Sequence, residues 1–261
     1  MNNYLFNRDK SSISRYHLLD FIRSITLINM ILYHGLYDLV YLFQVPIPLY
    51  QGNAGYFWQQ AICWTFIFLS GISFHFGRHH LKNGMILSLC GLIITMITYY
   101  ATPDLPVYMG ILSFMGLASL LMIPLEKMLQ KISPLVGVFF SLSFFFLTRG
   151  VNQGYLGFET LNLIELPNFL YQFKWGFVFG FPLPDFVSGD YFSLFPWFFL
   201  YVSGYFVWSL VKKSSRVLDF AKRGKLSPLC FIGRHTLPIY MIHQPLLLLL
   251  LEFIFMIKSK F

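Results

Sequence analysis

DFIRSITLINMILYHGLYD, residues 20–38, decides how this chain is read. It lies inside an apolar segment long enough to cross a bilayer, yet it carries Asp20, Arg23, Asn29, His34 and Asp38. A helix turns about 100° per residue, which gathers Asp20, Arg23, His34 and Asp38 on one face about 60° wide. Asn29 points roughly 120° away from Arg23. Its simplest role is a hydrogen bond to a neighbouring helix. Charged groups are costly in hydrocarbon, so the stripe should face a protein interior or a wet cavity. Arg23 and His34 stand roughly 16 Å apart along the helix axis. The stripe reads as a lined tunnel, with a cation near one end and a proton-accepting imidazole near the other. The plainer reading is a set of polar residues that only hold helices together.

Outward from this stretch the composition points the same way. The 261 residues are 56% hydrophobic, 20% aromatic and only 11% charged. That is the composition of a polytopic membrane protein, all-α and a single domain over residues 1–261. A formal net charge of +8 invites a nucleic-acid partner. The basic residues instead sit in short runs between apolar spans, where membrane orientation explains them, so no nucleic acid is expected. Cys63, Cys90 and Cys230 show no disulfide framework and no metal spacing, and no HExxH or P-loop occurs. No metal is expected. The first residues show no apolar run followed by a cleavage site.

Seven spans can be drawn, at 18–43, 57–77, 84–101, 107–125, 133–148, 191–211 and 228–255. Region 166–187 could hold a re-entrant piece or an eighth crossing. Its Lys174, Gly176, Gly180, Pro182 and Pro184 favour a loop packed on protein. The connectors after the second, fourth and sixth spans are basic: Arg78 and Lys82, Lys127 and Lys131, and the run from Lys212 to Lys225. The N-terminal arm adds Arg8, Lys10 and Arg15. The positive-inside rule then puts the N-terminus in the cytoplasm, in what reads as a bacterial cytoplasmic membrane. Tyr41, Tyr50, Trp58, Tyr99, Tyr100 and Trp197 fall near the outer span ends, as an interfacial belt would.

The first and last spans run in the same direction, so their depths can be compared. Arg23 and Arg234 fall about one and a half turns in, and His34 and His243 about four. The cytoplasmic tier gains Arg78, and the outer tier gains Asp38, Gln244 and Asp190. Arginine binds phosphate bidentately, although positive-inside anchoring alone would explain Arg78. Histidine titrates near neutrality and suits proton transfer, and Asp38 could orient His34. Residues 69–73, LSGIS, read as a small-residue packing patch. His17 and His75 read as surface or interfacial.

A family likeness rests on LLDFIRSITLINMILYHGLYDL (18–39), FIFLSGISFHFGR (66–78), GLIITMITY (91–99), MGILSFMGLASLL (109–121), DYFSLFPWFFLYVSGY (190–205) and FIGRHTLPIYMIHQPLLL (231–248). The chain resembles the bacterial relatives of heparan-alpha-glucosaminide N-acetyltransferase, within a wider transmembrane acyltransferase superfamily. The resemblance implies acetyl transfer from cytoplasmic acetyl-CoA to an amine or hydroxyl of a sugar on the far side. Carried over, His34 is the catalytic histidine, and Arg23 contacts the coenzyme or holds the tunnel. The depth and charge reading adds Asp38 as the residue that assists His34, and Arg78 and Arg234 as coenzyme residues beside Arg23. Asp190, His243 and Gln244 are the expected acceptor residues. Relatives often carry histidine where this chain has Ser113, a departure that bears on the acceptor. The expected partners are the acyl donor, a saccharide and membrane lipid, with a homodimer left open. A small proton-coupled transporter using the same Arg/His/Asp stripe is the competing reading.

Overall fold

The computed structural model describes residues 16–222 and 228–258. The N-terminal arm with Arg8, Lys10 and Arg15, and the basic positions Arg223, Lys225 and Lys260, lie outside the described residues.

Helix α1 (His17–Tyr37) continues as one wider π-turn, Asp38–Leu42. A short α2 (Pro48–Gln51) leads into α3 (Asn53–Ser73). Then come α4 (His80–Ala101), α5 (Ile111–Leu129) and α6 (Pro134–Leu147). After an irregular stretch, α7 (Leu194–Val211) is followed by α8 (Ser215–Lys222), α9 (Pro228–Arg234) and α10 (Thr236–Lys258). The architecture is that of an all-α polytopic membrane protein. Six stretches of the described residues are long and apolar enough to cross a membrane: 17–42, 80–101, 111–129, 134–153, 194–211 and 236–257.

Helix α3 has the length of a further traversal. Its 21 residues reach about 31 Å. Gln59, Gln60, Trp58 and Trp64 make it less apolar than the others. Its contacts with α1 and α7 half-bury Trp58, Gln60 and Trp64, while Gln59 is exposed. The count also follows from direction. Arg23 meets Gly233, His34 meets His243 and Asp38 meets Gln244, so the chain climbs both ends in parallel. Parallel first and last helices need an odd number of traversals between them, and α3 to α7 supply five.

Small residues set the tightest crossings. A side chain at Gly71 of α3 would strike the Tyr201 carbonyl of α7, and one at Gly204 of α7 would strike the Phe68 carbonyl. The LSGIS segment is therefore a packing patch, which lets the two backbones touch. Gly91 and Gly116 do the same between α4 and α5, against Ser113 and Ser88. Leu27, Phe66, Ile67, Phe114, Met122, Phe145, Trp197 and Tyr205 build the main core around α7.

Two boundaries differ from the sequence expectation. The last span, drawn as 228–255, is broken at His235 into α9 and α10. Region 166–187 holds no crossing helix, only short 3-10 turns at Asn168–Gln172 and Gly176–Val178. Just before it, β1 (Tyr155–Phe158) and β2 (Leu161–Glu165) pair as an antiparallel hairpin. Arg149 holds the hairpin to α3 and α7. It faces Glu159 at 3.5 Å, donates to Gln60 at 2.6 Å and lies 4.7 Å over the Trp197 ring.

Candidate functional site

The polar stripe on α1 faces protein along its whole length. Asp20 is buried near the start of α1 and bridges two guanidiniums. Arg23 approaches its Oδ1 at 3.1 Å, and Arg234 Nε approaches Oδ2 at 3.4 Å. Arg23 also donates to Ser73 Oγ at 2.7 Å, which ties the end of α3 into the cluster. The contact is close because Gly233 leaves no Cβ between α9 and the Asp20 carbonyl. Two arginines thus share one level, as their depths imply, although Arg234 ends α9 and does not sit inside the crossing helix. One Arg234 nitrogen, Nη2, is buried without a hydrogen-bond partner. Arg78 is not drawn in; it is exposed in the turn between α3 and α4.

Toward the other end of α1, the His34 and His243 rings meet with centroids 5.0 Å apart, inclined at 65°. They come from α1 and α10. His243 Nδ1 contacts the Tyr240 carbonyl, and its Nε2 is buried with no partner. Asp38, fully buried, binds Gln244 instead of His34: the amide nitrogen lies 2.8 and 3.0 Å from the two carboxylate oxygens. Both helices are irregular at this level. The π-turn begins at Asp38, and Pro245 follows Gln244 inside α10, where it lacks the N–H that Met241 C=O would accept. Such distortions are common where a helix serves a site.

Asp190 stands apart from the histidine pair. Its Oδ2 accepts the Ile111 N–H at 3.1 Å and so caps α5. Its carboxyl also faces a small cavity, about 10 Å³ for the centre of a water-sized sphere, shared with Gly91, Ser113 and Tyr240. That is room for roughly one water molecule. Burial pushes the Asp190 carboxyl up to about 6, partly countered by the Ile111 N–H. Tyr240 connects this cavity to the histidines, its ring lying 5.1 Å from that of His243.

Other expectations resolve residue by residue. Asn29 accepts the Trp58 indole N–H at 3.0 Å, the inter-helix bond its position implied. His75 is not a surface group: it stacks on Tyr205 at 4.2 Å and bonds its carbonyl at 2.9 Å. His17 also turns inward, with Nδ1 buried. Tyr50 and Trp197, expected in an interfacial belt, are 6% and 4% exposed and face protein. Tyr33, Tyr37 and Trp58 collect beside His34 as an aromatic group that no charge or spacing argument singled out. The repeat of tyrosine at 33, 37 and 41 was the available signal.

Comparison with known proteins adds one finding. No curated protein and no solved structure matches the chain. Residues 15–245 match the family model for heparan-alpha-glucosaminide N-acetyltransferase, catalytic. The chain therefore belongs to that family, a family of membrane acetyltransferases that use acetyl-CoA as donor.

Proposed function

We propose that this member of the heparan-alpha-glucosaminide N-acetyltransferase family carries acetyl groups across its own membrane. The donor is cytoplasmic acetyl-CoA, and the acceptor is an amine or hydroxyl of an extracytoplasmic sugar. The observation that carries this reading is the histidine pair, His34 of α1 against His243 of α10 at 5.0 Å, with the arginine cluster at the other end of α1 against α9. The K/R bias of the connectors supports the orientation.

In this reading the arginine cluster receives the donor phosphates. Arg234 Nη2 fits the role, since it is a buried donor still without an acceptor. The roughly 16 Å between Arg23 and His34 resembles the reach of an extended pantetheine arm. At the outer end, His34 takes the proton from the acceptor heteroatom as that atom attacks the thioester carbonyl. The C–S bond breaks, and the proton passes to the departing coenzyme sulfur. Acceptor N–H or O–H and thioester become acetylated sugar and thiol, with no proton left over. His243 stands close enough to share the proton or to hold the acceptor. Asp38 acts through Gln244: it fixes α1 against α10 and so sets the distance between the two imidazoles.

The test is His34→Ala in purified protein supplied with labelled acetyl-CoA and a sugar acceptor panel. Acetyl transfer should fall at least about a hundredfold, the usual scale of a lost general base. Coenzyme binding and the melting temperature should hold. Normal turnover in that variant would end the mechanism.

A further inference from the structure

Two buried polar atoms around the outer half of α1 have no hydrogen-bond partner, His243 Nε2 and Gln244 Oε1, whereas the Tyr50 hydroxyl is shared with Tyr33. Buried polar groups are nearly always paired, because leaving one unmet costs about 1–3 kcal/mol. Here the two lie at one end of α1, next to the contact between Tyr33 and Tyr50. His243 packs on His34, Gln244 binds Asp38, and Tyr50 lies 4.8 Å from Tyr33. Both unmet atoms are acceptors, His243 Nε2 because the Nδ1 of its ring faces the Tyr240 carbonyl and so carries the proton. They call for a ligand with donors such as hydroxyls or an amine.

The same place carries a continuous set of aromatic faces. Tyr33 contacts Tyr50 and, at 5.5 Å, Trp58. Tyr41 lies 6.3 Å from Tyr50 and 4.8 Å from Tyr37. The Trp58 N–H is already spent on Asn29, so what the indole still offers is its face. The ladder runs from Tyr41, half exposed at 50%, to Tyr50, buried at 6%. Tyrosines of a lipid-facing belt would stand at the rim. These descend to a buried phenol and stop beside the histidine pair. Aromatic faces are electron-rich, and the C–H edges of a pyranose ring are the electron-poor partner that suits them. The buried Asp38 carboxylate disfavours an acidic sugar at this point.

We propose that Tyr33, Tyr41, Tyr50 and Trp58, together with Gln244 and His243, form the platform that holds a neutral or amino saccharide against His34. The proposal takes from the preceding section only the idea that the acceptor is a sugar. It is tested without any acetyl transfer.

The full-length protein in nanodiscs is titrated calorimetrically, with no acetyl-CoA present. The probes are glucosamine and the tetrasaccharides cellotetraose, maltotetraose and chitotetraose. At least one should bind, and Tyr41→Ala should weaken it about fivefold while Tyr41→Phe recovers most of the loss. Tyr100→Ala is the belt control: Tyr100 is exposed, meets Tyr99 edge-on at the end of α4, and should leave binding unchanged. Binding by none of the probes overturns the platform. So does an equal effect of Tyr41→Ala and Tyr100→Ala, which marks both as lipid-belt residues, or no effect of Tyr41→Ala. Saccharide binding in a protein that transfers no acetyl group overturns the reaction and leaves the platform standing. Transfer whose acceptor KM ignores Tyr41→Ala does the reverse.

Discussion

The two ends of α1 solve the same problem in opposite ways. At the arginine end the charges largely answer one another: Asp20 lies between Arg23 and Arg234, Ser73 accepts from Arg23, and Arg234 Nη2 stays open. At the histidine end the charge is met once, by Gln244 on Asp38, while His243 Nε2 and Gln244 Oε1 stay unmet. A paired cluster holds helices in place with or without a ligand. A cluster with open valences is held in readiness by the helices around it. The difference gives the first end a structural load beside its proposed donor role, and gives the second end selectivity.

The largest expected effect breaks the paired end. Asp20→Ala leaves two guanidiniums facing each other in a mostly buried site, so unfolding should become easier by about 3 kcal/mol. Thermal melting in detergent checks it; a loss below about 0.5 kcal/mol would show that the bridge is ornamental. At the histidine end, Gln244→Ala strips the buried Asp38 of the amide that donates to both its oxygens and should cost about 1–2 kcal/mol. The smaller figure is the point of the comparison: if Gln244→Ala destabilises more than Asp20→Ala, the assignment of the two ends is reversed.

The smallest effect concerns Asp190, which belongs to neither end. Its carboxyl is held up at about 6 in the folded protein against 3.8 for the ordinary group. The folded state therefore keeps a proton that the unfolded chain has lost, and stability falls as pH rises from about 4 through 6. Asp190→Asn removes this term and retains an oxygen for the Ile111 N–H. The melting temperature of the variant, relative to wild type, should rise between pH 4.5 and 7 and then level off. A constant difference over that range would mean the carboxyl titrates normally.

Much of the fold is legible because a membrane span is a strong pattern. Long apolar runs give the helices, and the period of 3.6 residues puts Asp20, Arg23, His34 and Asp38 on one face. The period also sends Asn29 to a different helix, where Trp58 meets it. Periodicity tells which way a side chain points but not what stands opposite. Hence the match of His34 with His243 could be argued from depth, while the pairing of Asp38 with Gln244 could not. The π-turn at Asp38 has no sequence signature of its own, and the break at His235 follows no proline or glycine at that residue. Tyr50 and Trp197 misled for a general reason: an aromatic residue near a span end suits an interface and a buried contact equally well.

The central claim is that one chain joins a donor at the arginine end to an acceptor at the histidine end, across the membrane. Reconstituting the protein into sealed vesicles in a known orientation tests it directly. Labelled acetyl-CoA is placed on the face where Arg23 and Arg234 open, and the sugar acceptor only on the opposite face. Acetylated sugar should then accumulate on the acceptor's side, and the label should stay with the coenzyme when the two faces are exchanged. Product formed only when donor and acceptor share one face would contradict the account.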